Sequence, residues 1–443
     1  MFSNKKTFLY GLTLVFCFIT PTTTFAIVNA EIFKTPKNIE IILLQDKTTD
    51  LIALNLGFKG AGAIADLPSK AGLGSTMMEL IFRSNADGMD RHAKAKKIRE
   101  LGILSEINFA VTDDDIKIAF KTPVENFKAS LEMLSTILFK AEINNSELNK
   151  IKAFGTSNSQ LARSDEETFA WAALRASIFN GHPYANTASG NEQGIQSLNL
   201  ADINQAFKQR LAKNNLIVAV VGNIDKKTLS KYIDEIFTKL PAKASLPPVA
   251  TVTANLDGQV RTIFKDSSQS SAVFAEQSLS YADKDFYPFL LLNRILGGEP
   301  FTSRLWLEIR EKRGLVYGIS TTAHTDTKLA DVMLGQFKCN NQDANKVIAI
   351  IKDEFIKLKS NGVTKEEFDA AKTGIIGQYA LHFISSDQTS AYLLGNRLLG
   401  FDMQHINERN EKINAITLQD VNRVAKQHLH PEQLSFVVIG DPK

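Results

Sequence analysis

The sequence has 443 residues, of which 44% are hydrophobic and 22% are charged, and its formal net charge is +3. This length is enough for two or more domains, and the composition is that of a globular protein with a sizeable core. Two of the positive charges come from Lys5 and Lys6, so the rest of the chain is nearly neutral. Because proteins that mainly bind nucleic acid are usually strongly basic, we predict no nucleic-acid partner.

The first 30 residues have the pattern of a secretory signal peptide. The two lysines precede an apolar run at residues 8–19, which is too short to span a bilayer. Small residues follow, with possible cleavage sites near Ala26 or Ala30. We therefore predict an exported protein, periplasmic in a bacterium or secreted, with no membrane span after signal removal. A short membrane anchor is the alternative interpretation of the apolar run.

Hydrophobic periodicity in the first half of the chain predicts a mixture of strands and helices. One helix is predicted from residue 73 onwards, because Leu73, Met77 and Leu80 repeat at helical spacing, and Ser69 is predicted as its N-cap. The other predicted strands are residues 39–44, 51–58, 107–111 and 116–120, and the other predicted helices are residues 127–139, 146–163 and 166–179.

Two short polar segments in this half are predicted to be turns. The acidic run Asp113 to Asp115 separates two predicted strands, and we interpret it as a solvated hairpin turn. A calcium site is the second interpretation of this run. The segment His182-Pro183-Tyr184 follows the last predicted helix, and its role is predicted to be structural.

An internal repeat divides the chain into two halves. Residues 200–222 align without a gap with residues 418–440, at an offset of 218, which pairs Asp202 with Asp420 and Gly222 with Gly440. Since this offset is about half the chain, we predict two homologous halves, residues 31–240 and 259–443. A proline-rich segment, residues 241–258, is predicted to be the linker between them.

The second half is predicted to repeat the mixture of strands and helices, which indicates an α+β fold. Strands are predicted at residues 259–264 and 271–279, and helices at residues 285–296, 304–312, 344–359 and 365–385.

The helix that begins near Leu73 carries a family resemblance. Gly72-Leu73-Gly74 follows a strand and a loop that contains an acidic residue, as in the pitrilysin/insulinase family of zinc peptidases, where the helix starts with G-L-A-H-x-x-E-H. This resemblance covers about residues 31–443. It implies that each half is an antiparallel sheet flanked by helices, and that the linker joins the halves as a clamshell.

The residues of the family's zinc motif are replaced in this chain. Ser75 and Glu79 stand where the two histidines are expected, and Met78 stands where the glutamate is expected. In the family, two imidazoles on one helix face bind zinc and the glutamate takes a proton from the zinc-bound water. By resemblance, the third ligand falls near Lys152 to Gly155, where no carboxylate occurs. We predict that the chain holds no zinc and that it is inactive as an isolated chain.

A second family motif is kept. Arg310 and Tyr317 are seven residues apart, in a helix that Gly314 ends and in the next strand, and they match an arginine and tyrosine of the family. The resemblance implies that this pair binds the substrate backbone near the scissile bond. A guanidinium and a phenol can both donate to a carbonyl oxygen as it gains negative charge. The alternative roles are a charge that complements a helix C-terminus and an ordinary strand residue.

This combination predicts the non-catalytic subunit of a heterodimeric zinc peptidase. The resemblance implies that in some bacterial members the zinc motif and the arginine–tyrosine pair reside on two different chains. A homologous partner would then carry the zinc, and this chain would contribute Arg310 and Tyr317 to the binding of a peptide substrate. The alternative is a binding or assembly subunit of a complex with no proteolytic role.

Overall fold

The computed structural model describes residues 28–104, 106–323 and 327–443. Its frame is two β-sheets, one built from residues 31–222 and the other from residues 260–440. The predicted secretory signal lies outside the described residues except for its last three residues. Within the described ranges, no helix combines the length and the apolar character needed to cross a membrane.

In the first half, the elements alternate as the sequence periodicity predicts. Its strands are β1 (Glu31–Lys34), β2 (Glu40–Gln45), β3 (Leu51–Phe58), β4 (Asn108–Val111), β5 (Ile116–Pro123) and β6 (Leu216–Gly222). Its α-helices are α1 (Leu73–Arg83), α2 (Arg91–Glu100), α3 (Phe127–Phe139), α4 (Asn145–Ser164), α5 (Glu166–Ile178), α6 (Glu192–Ser197), α7 (Leu200–Arg210) and α8 (Lys226–Ile236).

The second half follows the same plan. Its strands are β7 (Val260–Phe264), β8 (Gln269–Gln277), β9 (Val316–Thr322), β10 (Val332–Asn340) and β11 (Ser435–Gly440). Its α-helices are α9 (Phe286–Asn293), α10 (Ala344–Asn361), α11 (Lys365–Tyr379), α12 (Ser386–Leu399), α13 (Met403–Ala415) and α14 (Leu418–His428). Two further segments, Arg294–Gly298 and Trp306–Glu311, are π-helical.

The two sheets have the same topology, which confirms the predicted pair of homologous halves. Their strand orders are β1-β2-β6-β3-β5-β4 and β7-β11-β8-β10-β9, so only β1 lacks a counterpart among the described strands. One feature differs from the expected antiparallel sheets: β2 pairs with β6 in parallel, and β7 pairs with β11 in parallel. Each sheet is therefore mixed, because β6 and β11 return to the sheet after a long connection that includes a helix.

The residues shared by the two copies of the sequence repeat have the same structural roles in both halves. Helices α7 and α14 each begin with a capping box, in which Asp202 and Asp420 accept a hydrogen bond from the N–H of the N-cap residue at 3.0 Å. The strands that follow these helices end at Gly222 (φ 151°) and Gly440 (φ 148°). A side chain at either glycine would lie within 3 Å of the neighbouring strand's backbone, which explains why both copies keep glycine.

Each half contributes one helix to the sheet of the other half. Helix α5 of the first half packs on β8 and β11, and α12 of the second half packs on β3 and β6. On α5, Leu174 and Ile178 are buried in one cluster with Val273 and Val437. Burial of such a side chain stabilises a fold by roughly 1.5–3 kcal/mol. The two halves therefore share core as well as the linker.

The acidic run Asp113 to Asp115 also joins the halves, and the prediction that it is solvated is wrong. It does form the turn between β4 and β5, but Asp114 and Asp115 are buried. Asp114 accepts hydrogen bonds from the Tyr184 hydroxyl at 2.7 Å and from the Lys328 backbone N–H at 2.8 Å. The Lys328 ammonium group binds both carboxylate oxygens of Asp115 at 2.7 Å. Groups from distant segments of the chain thus bind the Asp114 and Asp115 carboxylates, which were predicted to bind water or, alternatively, calcium.

The predicted helix at residues 365–385 is in fact interrupted. Helix α11 ends at Tyr379, a single 3-10 turn follows, and α12 begins after Ser385. The Ser385 hydroxyl accepts a hydrogen bond from the Gln388 N–H and caps α12. Serine at this position starts a new helix rather than continuing the old one.

Candidate functional site

Helix α1 is positioned by a buried ion pair. The Asp66 carboxylate accepts hydrogen bonds from the N–H groups of Gly72 at 2.9 Å and Gly74 at 3.1 Å, and Arg210 donates to it at 2.7 Å. Gly72 is in the left-handed region (φ 94°) and brings the chain into the helix. The prediction that Ser69 caps this helix is wrong, because Ser69 lies in a separate 3-10 turn and a carboxylate from farther upstream satisfies the free N–H groups.

The three positions of the zinc motif are used for local contacts. The Ser75 hydroxyl donates to the Ala188 carbonyl oxygen at 2.6 Å. Met78 is fully buried in the core of the first half. Glu79 forms an ion pair with Arg83 one turn further along α1. A serine already bonded to the backbone, a buried thioether and a carboxylate paired with arginine make a poor set of ligands for zinc.

Helix α4 faces α1 across a cleft of about 390 Å³, which we call the first-half cleft. The α4 side of this cleft presents Ile151, Phe154, Gly155 and Asn158. The predicted third-ligand region therefore brings no carboxylate to Ser75 and Glu79, and Lys152 instead donates to the Leu198 carbonyl oxygen at 3.0 Å.

An arginine and an aromatic ring occupy the same region. The Arg83 guanidinium lies 4.7 Å from the centre of the Phe154 ring, in cation–π geometry, while it pairs with Glu79. Within the described residues, no group of three or more His, Cys, Asp and Glu side chains is placed to hold a metal ion. The first-half cleft can hold a partly apolar group, but Glu79, which lines it, is already paired with Arg83.

Arg310 and Tyr317 lie at the outer edge of the second sheet. Arg310 is in the last turn of the π-helical segment Trp306–Glu311, and Tyr317 is on β9, which is the edge strand. The Gly314 N–H donates to the Arg310 carbonyl oxygen at 3.1 Å, which ends the helix as the sequence predicts. Both side chains are exposed, Tyr317 to 63%. Among the described residues neither side chain has a hydrogen-bond or ion-pair partner, so both can bind a ligand.

A second cleft was not predicted from the sequence. It measures about 640 Å³ and lies between the second half and the β4–β5 hairpin, and we call it the second-half cleft. Aromatic and imidazole rings line it, and these come from segments that are far apart in the sequence. The only sequence signal was the high density of rings between residues 379 and 405.

Comparison with known proteins identifies the class. Residues 197–375 match the family model described as "Peptidase M16 inactive domain". The chain is similar to proteins of the M16 peptidase family and lacks the H-x-x-E-H motif, and the predicted resemblance to the pitrilysin/insulinase family is confirmed. The matched region begins after Glu79, so the loss of the zinc motif is read from the residues of α1 themselves.

Particular relatives cover almost the whole chain. The "Non-peptidase homolog YmxG" of Helicobacter pylori is 23% identical over 395 residues, which are 88% of this chain and 89% of the relative. The solved structure of a "peptidase M16 inactive domain" from Pseudomonas fluorescens superimposes with a TM-score of 0.83 at 20% identity, over 94% of this chain and 98% of that chain. A shorter match is the "Mitochondrial-processing peptidase subunit beta" of Blastocladiella emersonii, 24% identical over 60% of this chain and 58% of that protein.

Proposed function

We propose that this chain is the non-catalytic subunit of a heterodimeric zinc metallopeptidase. A homologous partner subunit carries the zinc, and this chain contributes peptide binding. The observation that carries the proposal is a contrast within the chain. Ser75, Met78 and Glu79 are engaged in local contacts, whereas Arg310 and Tyr317 are exposed and free of partners among the described residues.

The division of labour follows from the chemistry of each site. Peptide hydrolysis by a zinc enzyme needs a metal-bound water and a base to take its proton, and both are expected on the partner. The attacked carbonyl oxygen gains negative charge in the transition state. The Arg310 guanidinium and the Tyr317 hydroxyl are donors suited to that oxygen or to the neighbouring peptide carbonyls. We therefore assign the two residues to substrate binding.

The relatives support both this proposal and its alternative. One is named as a subunit of a processing peptidase and is similar to 60% of this chain. Another, similar to 88% of the chain, is named a non-peptidase homologue, which is compatible with an inactive subunit and also with an assembly subunit that has no proteolytic role. Arg310 and Tyr317 distinguish the two, since only the peptidase subunit needs them for turnover.

Export is part of the proposal. The Val28 N–H donates to the Asn407 side chain at 2.9 Å, and Val28 and Ala30 pack against the apolar cluster around α12. Signal cleavage near Ala26 would keep these contacts, whereas cleavage after Ala30 would remove them. We therefore propose cleavage near Ala26, with the mature chain in the periplasm or outside the cell. N-terminal sequencing of the protein recovered from that compartment tests this directly.

The function is tested by reconstitution. The mature chain is purified alone, and also together with a zinc-bearing M16 homologue from the same cell, and the cleavage of a peptide library is measured with and without a chelator. We expect chelator-sensitive cleavage only from the mixture. Arg310→Ala and Tyr317→Phe in the mixture should each lower kcat/KM about tenfold or more, because each removes a donor to the substrate.

The matched control is Arg313→Ala, since Arg313 is an exposed arginine nearby that already pairs with Glu308. This variant should retain the activity of the mixture. Chelator-sensitive cleavage by the chain alone would contradict the proposal. Full activity of a mixture that contains both Arg310→Ala and Tyr317→Phe would instead favour the assembly subunit.

A further inference from the structure

The second-half cleft occupies the same place in the repeat as the first-half cleft. The offset of 218 relates Ser75, which lines the first cleft, to Asn293, which lines the second. The N-caps of α4 and α5 correspond to those of α11 and α12. Asn144 and Asp165 are as far apart in the sequence as Thr364 and Ser385, so Asn144 aligns with Thr364 and Asp165 with Ser385. The duplicated fold thus forms a corresponding cleft in each half, and the second is lined with different side chains.

Rings form much of the second-half cleft. Its aromatic and imidazole side chains are Tyr281, Phe286, Tyr287, His382, Tyr392, Phe401 and His405. By the N-cap alignment, the first-half residues that correspond to His382 and Tyr392 are Ala162 and Ala172. At these two positions the rings are therefore a property of the second half and not of the shared fold.

These rings are held in fixed pairs. His382 and Tyr392 are stacked, with ring centres 4.3 Å apart and planes at 18°. Phe401 and His405 are stacked at 3.7 Å and 1°, and the Tyr287 hydroxyl lies 3.1 Å from the His405 ring nitrogen. Such pairs present flat, polarisable surfaces to the cavity, suited to contact with another aromatic group.

Two positive charges, Lys117 and Arg409, line the cleft without a carboxylate partner among the described residues. The half-buried Arg409 lies over the Tyr379 ring at 4.8 Å and donates to the Asn410 side chain at 2.9 Å, but within the described residues it has no carboxylate partner. The other arginine of the cleft, Arg294, is paired with Glu299. Burial lowers the pKa of His382 and of His405, and the Arg409 charge also lowers both, which favours the neutral imidazoles.

We propose that the second-half cleft binds a ligand that carries an aromatic ring and a nearby carboxylate. The carboxylate would meet the Arg409 guanidinium in a charge-assisted hydrogen bond, and the ring would lie against the stacked pairs. A cavity of about 640 Å³ is in the usual range for such ligands. The chemistry is shared by free aromatic acids and by a peptide that ends in an aromatic residue. Neither Arg310 nor Tyr317 lines this cleft, so the inference does not depend on the proposed function.

The test is a calorimetric titration of the whole mature chain with matched probes. N-acetyl-L-phenylalanine should bind about tenfold or more tightly than N-acetyl-L-phenylalaninamide, which has the same ring without the charge. In Arg409→Gln this preference should disappear, and in Arg409→Lys part of it should remain. Tyr392→Ala should weaken both probes alike.

The matched control is Arg83→Gln, because Arg83 also lies over a ring, that of Phe154 in the first half, but has a carboxylate partner. This variant should bind both probes like the unaltered chain, and thermal unfolding of each variant verifies its fold. A short peptide that ends in phenylalanine forms a further arm: binding comparable to the free acid points to a chain end, and exclusion of the peptide points to a small acid. Equal binding of acid and amide, no binding of either, or an unchanged preference in Arg409→Gln would overturn the inference.

Discussion

The two clefts of this molecule are built on one duplicated plan and have opposite chemistry. In the first, the Glu79 carboxylate is neutralised by Arg83 on the same helix, and small or apolar residues of α4 complete the wall. In the second, Arg409 has no such partner among the described residues, and rings replace alanines. In each half the fold supplies the place for a site, whereas the side chains decide which chemistry is possible.

A contact between the two halves affects the second-half cleft in particular. The β4–β5 hairpin of the first half forms part of the second-half cleft, and Lys328 of the second half fixes that hairpin through Asp115. The second-half cleft is thus closed on one side by a segment of the first half. A change in this contact should affect the second cleft more than the first.

The largest expected effect is on the contact between the halves. Lys328→Met should lower the free energy of unfolding by about 3 kcal/mol, because it leaves the buried Asp115 carboxylate without its countercharge. Denaturant unfolding measures the change. Lys117→Met, at the rim of the same cleft, is the control and should change stability by under about 0.5 kcal/mol. Equal effects of the two substitutions would show that the ion pair does not join the halves.

A smaller effect on stability is expected at one position where the cores of the two halves differ. The repeat relates Phe58 on β3 to Glu276 on β8, and both are fully buried. The Glu276 carboxyl accepts a hydrogen bond from the His430 N–H through one oxygen, and its other oxygen has no partner among the described residues. Burial, with a smaller contribution from the nearby Glu432 charge, raises the pKa of Glu276 to about 8, although the hydrogen bond from the His430 N–H and the charge of Lys359 act in the opposite direction.

The sign of the pH dependence follows from this shift. Between the pKa of glutamate in the unfolded chain, about 4.3, and the folded value, the unfolded state loses a proton that the folded state keeps. The contribution of Glu276 to stability is therefore complete at low pH and declines up to about pH 8, by at most about 1.4 kcal/mol per pH unit. Glu276→Gln should reduce this decline, as measured by denaturant unfolding at pH 5.5, 7 and 8.5. Glu411→Gln, at an exposed position on α13, is the control and should keep it; an identical slope in Glu276→Gln would rule out the buried acid as its cause.

Much of the fold could be predicted from the sequence, because its signals are local. The strand at Leu51–Phe58 and the helix at Phe127–Phe139 have the predicted bounds, since their apolar periodicity is strong. Helix α2 was missed because its buried residue is Lys94, which donates to the Phe82 and Ser84 carbonyl oxygens and leaves no apolar stripe to detect. The cap of α1 was also missed, because Asp66 acts from outside the helix.

Some features of the candidate sites could likewise be predicted from the sequence, and others could not. The loss of the zinc motif could be seen at Ser75, Met78 and Glu79, because the spacing of the motif lies within one helix. The role assigned to Arg310 and Tyr317 stays a prediction, although both are exposed as that role requires. The second-half cleft could not be predicted, since its rings and Arg409 come together only through packing of several helices.

The most direct test of the central claim is the zinc content of the purified mature chain, measured by mass spectrometry after equilibration with zinc and removal of excess metal. We expect far less than one zinc per chain, and no change in the variant Ser75→Ala/Glu79→Gln, because the first-half cleft has lost its ligands. One tightly bound zinc per chain that is lost in this variant would show that α1 still forms a metal site and that the chain is not a zinc-free subunit.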